Sequence, residues 1–440
     1  MRWKTAETTG WGRVLKAKAD MARPEKLSTL RDSWKNGVAP AIGNLRSYGD
    51  AALNDRGRTI NMTRLDRLIS FDPETGILTA EAGIAIGEIT RIFAPKGWIP
   101  AVLPGTGFAT LGGCIANDVH GKNHAAGSFG QHVTNIELLG VNGKVRNIKP
   151  KTNRILFRAT CGGLGQTGLI LSATIQMIPC TSEVFLVRET RVDSLNEFLA
   201  VLESSTAQFC VGWIDAAVKG EALGRGILEE AEIGNHVHAI VQKKAKSIPK
   251  DLPRFLLAPP IVRLFNHFYL RRVPAEGREL WRAMQDFFFP LDRVHNWNRL
   301  YGKPGFHQFQ CALPDATARE ALPRMMDLIA RSGLASPLAV LKRMGPGRAG
   351  MMSFPMEGFT LAVDFPNREK AVDLIAELEE ITLNANGRLY LAKDALARPK
   401  QIAAMYDEMS DFAEVTNDLD PTQSLATDMV RRLNLRGAAK

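Results

Sequence analysis

The sequence predicts an α+β protein of two domains, the second built on an antiparallel sheet. At 440 residues the chain exceeds one ordinary domain of roughly 100–200 residues. Residues 1–180 read as short strands punctuated by glycine-rich loops, and from 181 onward longer strands alternate with amphipathic helices. Two glycine loops, 103–124 and 161–168, are each bounded by strands. A Rossmann unit would instead need one glycine fingerprint opening a helix, with an acid about twenty residues further on.

Along the chain, Thr9-Gly-Trp-Gly-Arg13 sets an aromatic between glycines and reads as a docked loop. Val38–Ile42 reads as a strand running into the polar turn Asn44–Asp50. Short strands follow at Thr59–Met62, Leu68–Phe71 and Ile77–Ala80, with Asp72-Pro-Glu-Thr-Gly76 as the turn between the last two. Ile84–Ala94 has helical spacing, closed by Lys96-Gly97. Asn135–Val141 and Gly143–Ile148 form a hairpin around Asn142-Gly143, and the cluster Cys161–Gly168 leads into a strand at Leu169–Met177. In the second half, helices are expected at Leu195–Ser204, Ala316–Ser332 and Arg368–Leu383, and strands at Gln208–Asp215, His307–Leu313 and Thr360–Phe365. The segment Leu252–Arg272 mixes apolar and aromatic residues with prolines and arginines. It reads as an interfacial membrane contact or as a partly buried lid. The boundaries expected are 1–180, 181–387 and a segment 388–440 that returns to the first domain.

A composition of 45% hydrophobic and 23% charged residues is that of a globular protein with ample core. No run of eighteen apolar residues marks a membrane span, and Met1-Arg-Trp-Lys-Thr-Ala-Glu7 lacks the apolar core of a secretory signal. A cytoplasmic location, or one peripheral to the inner membrane, is therefore expected. Cysteines 114, 161, 180, 210 and 311 are dispersed, which suits buried free thiols and neither disulfides nor a metal site. The net charge of +10 suits phosphorylated substrates or an anionic membrane. No single basic block points to nucleic acid.

The loop Leu103–His124 is the most telling stretch. Gly105, Gly107, Gly112, Gly113 and Gly121 let backbone amides approach a ligand closely. Successive amides of that kind form concavities for phosphate. His120, Lys122 and His124 then place polar chemistry beside the cradle.

Taken in order, Thr9–Arg13, Arg46-Ser-Tyr-Gly-Asp50, Leu103-Pro-Gly-Thr106, His120-Gly-Lys-Asn-His124, Ala126-Gly-Ser-Phe-Gly130, Pro290-Leu-Asp292, Trp297-Asn-Arg299, Ser353-Phe-Pro355, Val363-Asp-Phe-Pro366 and Arg388–Asp394 resemble the flavoprotein oxidoreductases of the vanillyl-alcohol-oxidase superfamily. The likeness is greatest to its branch acting on polyprenylphosphoryl ribose, and covers nearly the whole chain. It implies a PCMH-type FAD-binding fold. It also implies oxidation of the 2-hydroxyl of a polyprenylphosphoryl-β-D-ribofuranose to the 2-keto sugar, the first half of epimerisation to the arabinose. The partners implied are a separate NAD(P)H-dependent keto-reductase, a quinone-like electron acceptor and a peripheral membrane contact.

By the same resemblance, FAD contacts fall on Arg46, Ser47, Tyr48, Gly49 and Asp50, and on Pro104, Gly105, Thr106, Thr110, Gly112, Gly113 and Asn117. They continue on His120, Gly121, Asn123, Gly127, Ser128 and Gly130, then on Gly163, Gly168, Ile170 and Tyr390. Tyr48 stands where many members carry a flavin-linked histidine, so the FAD is expected to be non-covalent. Lys393, His120 and Tyr48 are the catalytic candidates. Lys122, Trp213, Gln308, Gln310, Lys342, Thr360, Ala362 and Lys393 are the substrate candidates, with Lys342 suited as a point charge for phosphate. Five positions depart from the family pattern: Asn44-Leu45 replaces a Leu-Gly pair, Leu164 stands for a common asparagine, Thr360 for asparagine and Ala362 for cysteine. The competing readings are a soluble alditol or aldonolactone oxidase of the same superfamily, a basic nucleic-acid-binding protein without activity, and a subunit that holds FAD only to scaffold its reductase.

Overall fold

The apolar run Leu169–Pro179 forms an eleven-residue strand at the centre of a six-stranded antiparallel sheet. It pairs with Ile77–Glu81 on one side and Val133–Leu139 on the other. Leu68–Asp72 and Val145–Ile148 lie at the edges, and Trp98–Pro100 pairs with its C-terminal end. The computed structural model describes residues 2–34, 37–234, 244–334 and 336–437. A smaller four-stranded sheet joins Lys4–Thr9, Lys16–Ala22, Arg58–Asn61 and Ala41–Ile42. The turns fall where glycine permits them: Gly97 closes helix Ile86–Phe93 and its 3₁₀ extension at φ +85°, and Gly143 turns the hairpin at φ +74°.

One expectation needs correction. The loop 103–124 contains a short helix, Leu111–Ala116, capped by the Thr110 hydroxyl accepting from the Gly113 amide. Leu111, Cys114 and Ile115 fall at i, i+3 and i+4 and are fully buried. A single turn of periodicity between glycines was enough once the core supplied the packing.

From Val184 onward an eight-stranded sheet runs in the order Arg278–Ala283, Val184–Val192, Gly226–Ile233, Phe209–Ile214, Ala339–Met344, Gly358–Pro366, Phe306–Pro314 and Arg388–Leu389. Its pairings are antiparallel. Side chains alternate between its faces. One face carries Cys210, Leu228, Phe309, Cys311, Leu341, Leu361 and Val363 into a core against helices Leu195–Ser204, Asp315–Ser332 and Glu369–Asn384. The opposite face presents Gln308, Gln310, Ala362, Val340, Lys342, Val211, Trp213, Glu229 and Arg282 toward a cavity. The five cysteines are buried and free. The chain is thus an α+β protein whose second sheet uses one face for its core and the other for a pocket.

Candidate active site

A cavity of about 1270 Å³ lies between that open sheet face and the loops of the first half. Single-ligand pockets run to roughly 300–1,000 Å³, so this one has room for a cofactor and a substrate together. Three loops beside it are joined by backbone contact. Trp11 N donates to Ser47 O (2.8 Å), Gly12 N to Tyr48 O (3.1 Å) and Tyr48 N to Ala392 O (2.9 Å). A Cβ on Gly10 would overlap the Tyr48 and Gly49 carbonyls, and one on Gly49 the Asp394 carbonyl. Loops 9–13, 44–50 and 390–394 are therefore stacked as closely as backbone allows.

Loop 44–47 is shaped to hold an anion. Leu45 sits in the left-handed region at φ +52°, which costs a leucine about 1–2 kcal/mol. Among the described residues no protein acceptor takes the amides of Asn44, Leu45, Arg46 or Ser47, an arrangement of the nest type. The Arg46 guanidinium lies between the rings of Trp11 (4.2 Å) and Phe108 (4.6 Å), and its buried Nε has no partner. Burial lowers its pKa, opposed by Asp292. Across the cavity the Asn117 Oδ1 is likewise buried and unpartnered. A Cβ built on Gly105 or Gly165 would meet nothing within 4 Å, so both glycines face open cavity. Asp292 fixes the glycine loop by accepting from Thr106 Oγ1 (2.8 Å) and Gly107 N (2.7 Å).

At the other end of this stretch the polar side chains converge. The Lys393 Nζ lies 3.6 Å from the centre of the Tyr48 ring. Burial pushes Lys393 down to about 7 against the opposing charge of Asp364. Asp364 is itself fully buried and raised by burial to about 7; hydrogen bonding from Gln308 and the charge of Lys393 oppose the shift. The Tyr301 hydroxyl donates to Asp364 (3.1 Å). Tyr48, buried and near Asp364, is raised well above the usual phenol range. His120 packs against Phe354 and Tyr390. Its Nδ1 is 3.1 Å from Lys342 Nζ and its Nε2 3.0 Å from the Gln310 carboxamide. The nitrogen of the Gln310 carboxamide is the atom that faces Nε2. When Lys342 is protonated it donates to Nδ1, and a neutral imidazole then carries its proton on Nε2, which calls for the carboxamide turned with its oxygen inward. The same carboxamide reaches the Thr360 hydroxyl at 3.1 Å. Burial, then Lys342 and Lys393, lower His120 well below its ordinary value. Lys342 is pushed down to about 7 by burial and the two neighbouring lysines.

The cavity wall brings together Arg46, Ser47, Tyr48, Pro104, Gly105, Thr106, Thr110, Gly112, Gly113 and Asn117. It continues with His120, Gly121, Lys122, Gly168, Ile170, Trp213, Gln308, Gln310, Lys342, Ala362, Tyr390 and Lys393. Eight sequence-proposed residues lie off it, namely Gly49, Asp50, Asn123, Gly127, Ser128, Gly130, Gly163 and Thr360. Asp50 instead receives both arms of Arg432 (2.8 Å each). Asn123 donates to the Ala101 carbonyl. Gly130 N donates to the buried Asp118 (2.7 Å), which also holds Ala349 N and Ser353. Gly127 and Ser128 belong to that same turn, Gly163 packs on the Ala159 carbonyl, and Thr360 sits behind Gln310. His124 is likewise off the wall. Lys342 is engaged by His120 and the Gly121 carbonyl (3.2 Å), so it serves the histidine rather than standing as a free point charge. Lys122 reaches the Phe287 carbonyl, and burial lowers it to about 8.

Sequence reasoning missed Asp364 and Tyr301. Asp364 had a readable signal, since aspartate is depleted in strands and it shares parity with Thr360 and Ala362.

Comparison with known proteins agrees with this geometry. Residues 27–149 match the FAD binding domain family and residues 259–433 the D-arabinono-1,4-lactone oxidase family. The chain is 35% identical to the decaprenylphosphoryl-beta-D-ribose oxidase of Mycolicibacterium smegmatis, over 98% of each chain. The chain belongs to that oxidase family. It is an FAD-dependent oxidoreductase. An uncharacterized protein of Streptomyces coelicolor is 30% identical over 80% of this chain and its own full length. An L-gulono-1,4-lactone dehydrogenase of Mycobacterium tuberculosis is 22% identical over 89% of each chain. The residues present fit the family's cofactor: free amides at 44–47, the orphaned Arg46 Nε and the open faces of Gly105 and Gly165 suit a dinucleotide pyrophosphate.

Proposed function

We propose that this chain oxidises the 2-hydroxyl of a polyprenylphosphoryl-β-D-ribofuranose, with FAD held non-covalently, as the first half of epimerisation to the arabinose. One observation carries the reading: Lys393, Gln308, Gln310 and His120 converge on one end of a cavity whose neighbouring wall fits FAD. In this reading residues 1–180 bind the cofactor, 181–387 bind the sugar, and 388–440 return to the first domain with Lys393. Bound FAD supplies the two-electron acceptor for the alcohol carbon.

The protein supplies the proton path and the orientation. Of the three candidates, Lys393 takes the hydroxyl proton. The Tyr48 phenol stays protonated at neutral pH, and burial and two lysines hold His120 well below its ordinary value, which makes it a weak base. With its pKa near 7, Lys393 is neutral in a large fraction of molecules, as a general base needs. Asp364 then faces a newly charged ammonium. Tyr48 donates to the sugar, and Gln310 and His120 hold the ring orientation through their linked contact. Tyr48 in place of a histidine supports non-covalent FAD, as does the engagement of both His120 nitrogens. Acid precipitation is expected to leave all the flavin in the supernatant.

The product is a 2-keto pentofuranose, which requires an NAD(P)H-dependent keto-reductase to complete epimerisation and a quinone-like acceptor to restore the flavin. The substrate's lipid tail calls for work at a membrane surface; among the described residues no helix is long and apolar enough to cross one. A second reading, an aldonolactone oxidase, is favoured by the match of residues 259–433. Anaerobic titration separates the two: polyprenylphosphoryl ribose is expected to bleach the flavin to completion and free lactones to leave it yellow. Bleaching by lactones alone would replace the first reading with the second.

A further inference from the structure

Helix Pro259–Arg271 is apolar on the wrong side. Its inward stripe, Val262, Asn266 and Leu270, falls at i, i+4 and i+8 and is buried. A surface helix then ordinarily presents polar residues outward. Here Ile261, Leu264, Phe265 and Phe268 fall at i, i+3, i+4 and i+7 on the outside, 38–65% exposed. Phe255, in the preceding 3₁₀ turn, is 63% exposed and extends the stripe.

The charge around this face has one sign. Residues 252–272 contain no Asp or Glu, and Arg254, Arg263 and Arg271 are exposed; Arg272 turns inward to Glu189 (2.7 Å) and Glu229 (3.3 Å). Asp251, just before, is paired with Arg13 (2.5 Å). The helix also leads into the cavity: Tyr269 and Arg272 are part of its wall, and Tyr269 packs on Trp213 at 4.7 Å between ring centres.

We propose that this outward face docks on an anionic lipid bilayer, so that the cavity opens at the membrane where the lipid-linked sugar resides. The inference rests on the polyprenyl substrate of the preceding reading. Arginines beside an apolar stripe fit lipid headgroups above acyl chains. A protein partner would have to answer a basic, acid-free rim instead.

The test is flotation of the flavin-loaded full chain with vesicles of phosphatidylcholine alone or with about one third phosphatidylglycerol, a composition chosen for its surface charge. The variant carries Leu264→Ser, Phe265→Ser and Phe268→Ser, and Ile155→Ser, 64% exposed elsewhere, is the control. The wild type and control are expected to float with the anionic vesicles, and the triple variant to bind at least tenfold more weakly while keeping its flavin. On a water-soluble short-chain polyprenylphosphoryl ribose the triple variant is expected to match the wild type; on long-chain substrate in vesicles it falls behind. Equal flotation of the triple variant and wild type would overturn the proposal. So would no flotation of the wild type, or a change in self-association on gel filtration as the only effect. If neither protein oxidises the short-chain substrate, the substrate reading fails while the flotation result stands by itself.

Discussion

Arg432 is the residue whose removal most directly tests how the site is held together. It sits in the short helix Asp428–Arg432. Its guanidinium donates twice to Asp50 and once each to Asp394 and the Ala397 carbonyl, all at 2.8 Å. Asp50 lies two residues beyond Tyr48, and Asp394 adjoins Lys393. One arginine thus ties the 44–50 loop to the segment carrying Lys393 from a position far along the chain. Both carboxylate side chains are about 95% buried. Arg432→Met leaves them facing each other without a cation, and breaking a buried pair costs about 3–5 kcal/mol. At 2.1 cal/mol/K per residue, a 440-residue chain has an unfolding entropy of about 0.9 kcal/mol/K. The melting temperature should therefore fall by roughly 3–5 °C. Arg432→Lys keeps the charge but not the fork, so its loss should be intermediate. Thermal unfolding followed by circular dichroism and by flavin fluorescence on release measures both effects. A shift under 1 °C for Arg432→Met, with flavin release unchanged, would refute the reasoning.

The other predictions concern chemistry, strain and pH. Lys393→Ala should slow substrate-dependent flavin reduction by ~100-fold or more while flavin content stays normal. Because burial holds Lys393 near 7, wild-type kcat/KM should rise with pH through that value. Asp364→Asn removes the charge that raises Lys393 and should move this limb to lower pH, which rate profiles will show. Leu45→Asn should raise the melting temperature by roughly 1–2 °C, since asparagine tolerates the left-handed backbone that costs leucine about 1–2 kcal/mol. Glu379 is raised to about 8 by burial and then by Asp394. Its folded value exceeds its unfolded one, so the stability it contributes is present below pH 4.5 and is lost as pH rises through 8. Relative to the wild type, Glu379→Gln should therefore gain on the order of 4 kcal/mol between pH 5 and pH 9, as measured by denaturant unfolding.

Much of this was legible in the sequence because it is local. Hairpins at Asp72–Gly76 and Asn142-Gly143 follow from turn chemistry, and Gln308 with Gln310 shares a strand face by alternation alone. What remained hidden depends on residues far apart in the chain. Nothing near Arg432 announces that it closes on Asp50 and Asp394, and Asp50 therefore resembled a ligand contact. Leu45 and Leu164, both departures from the family pattern, adopt φ +52° and +53°. A backbone conformation normally flagged by glycine or asparagine was thus masked by leucine. The composition of Leu252–Arg272 already offered a membrane contact or a lid, but which residues face outward was not legible, because Val262 and Leu270 on the inner side are also apolar.

The central claim is that a lipid-linked ribose is oxidised at its 2-carbon beside Lys393. Anaerobic stopped-flow measurement of flavin reduction by polyprenylphosphoryl ribose carrying deuterium on that carbon tests it most directly. Reduction is expected to be slowed several-fold by the label and further by Lys393→Ala. Reduction indifferent to both, or seen only with free lactones, would contradict it.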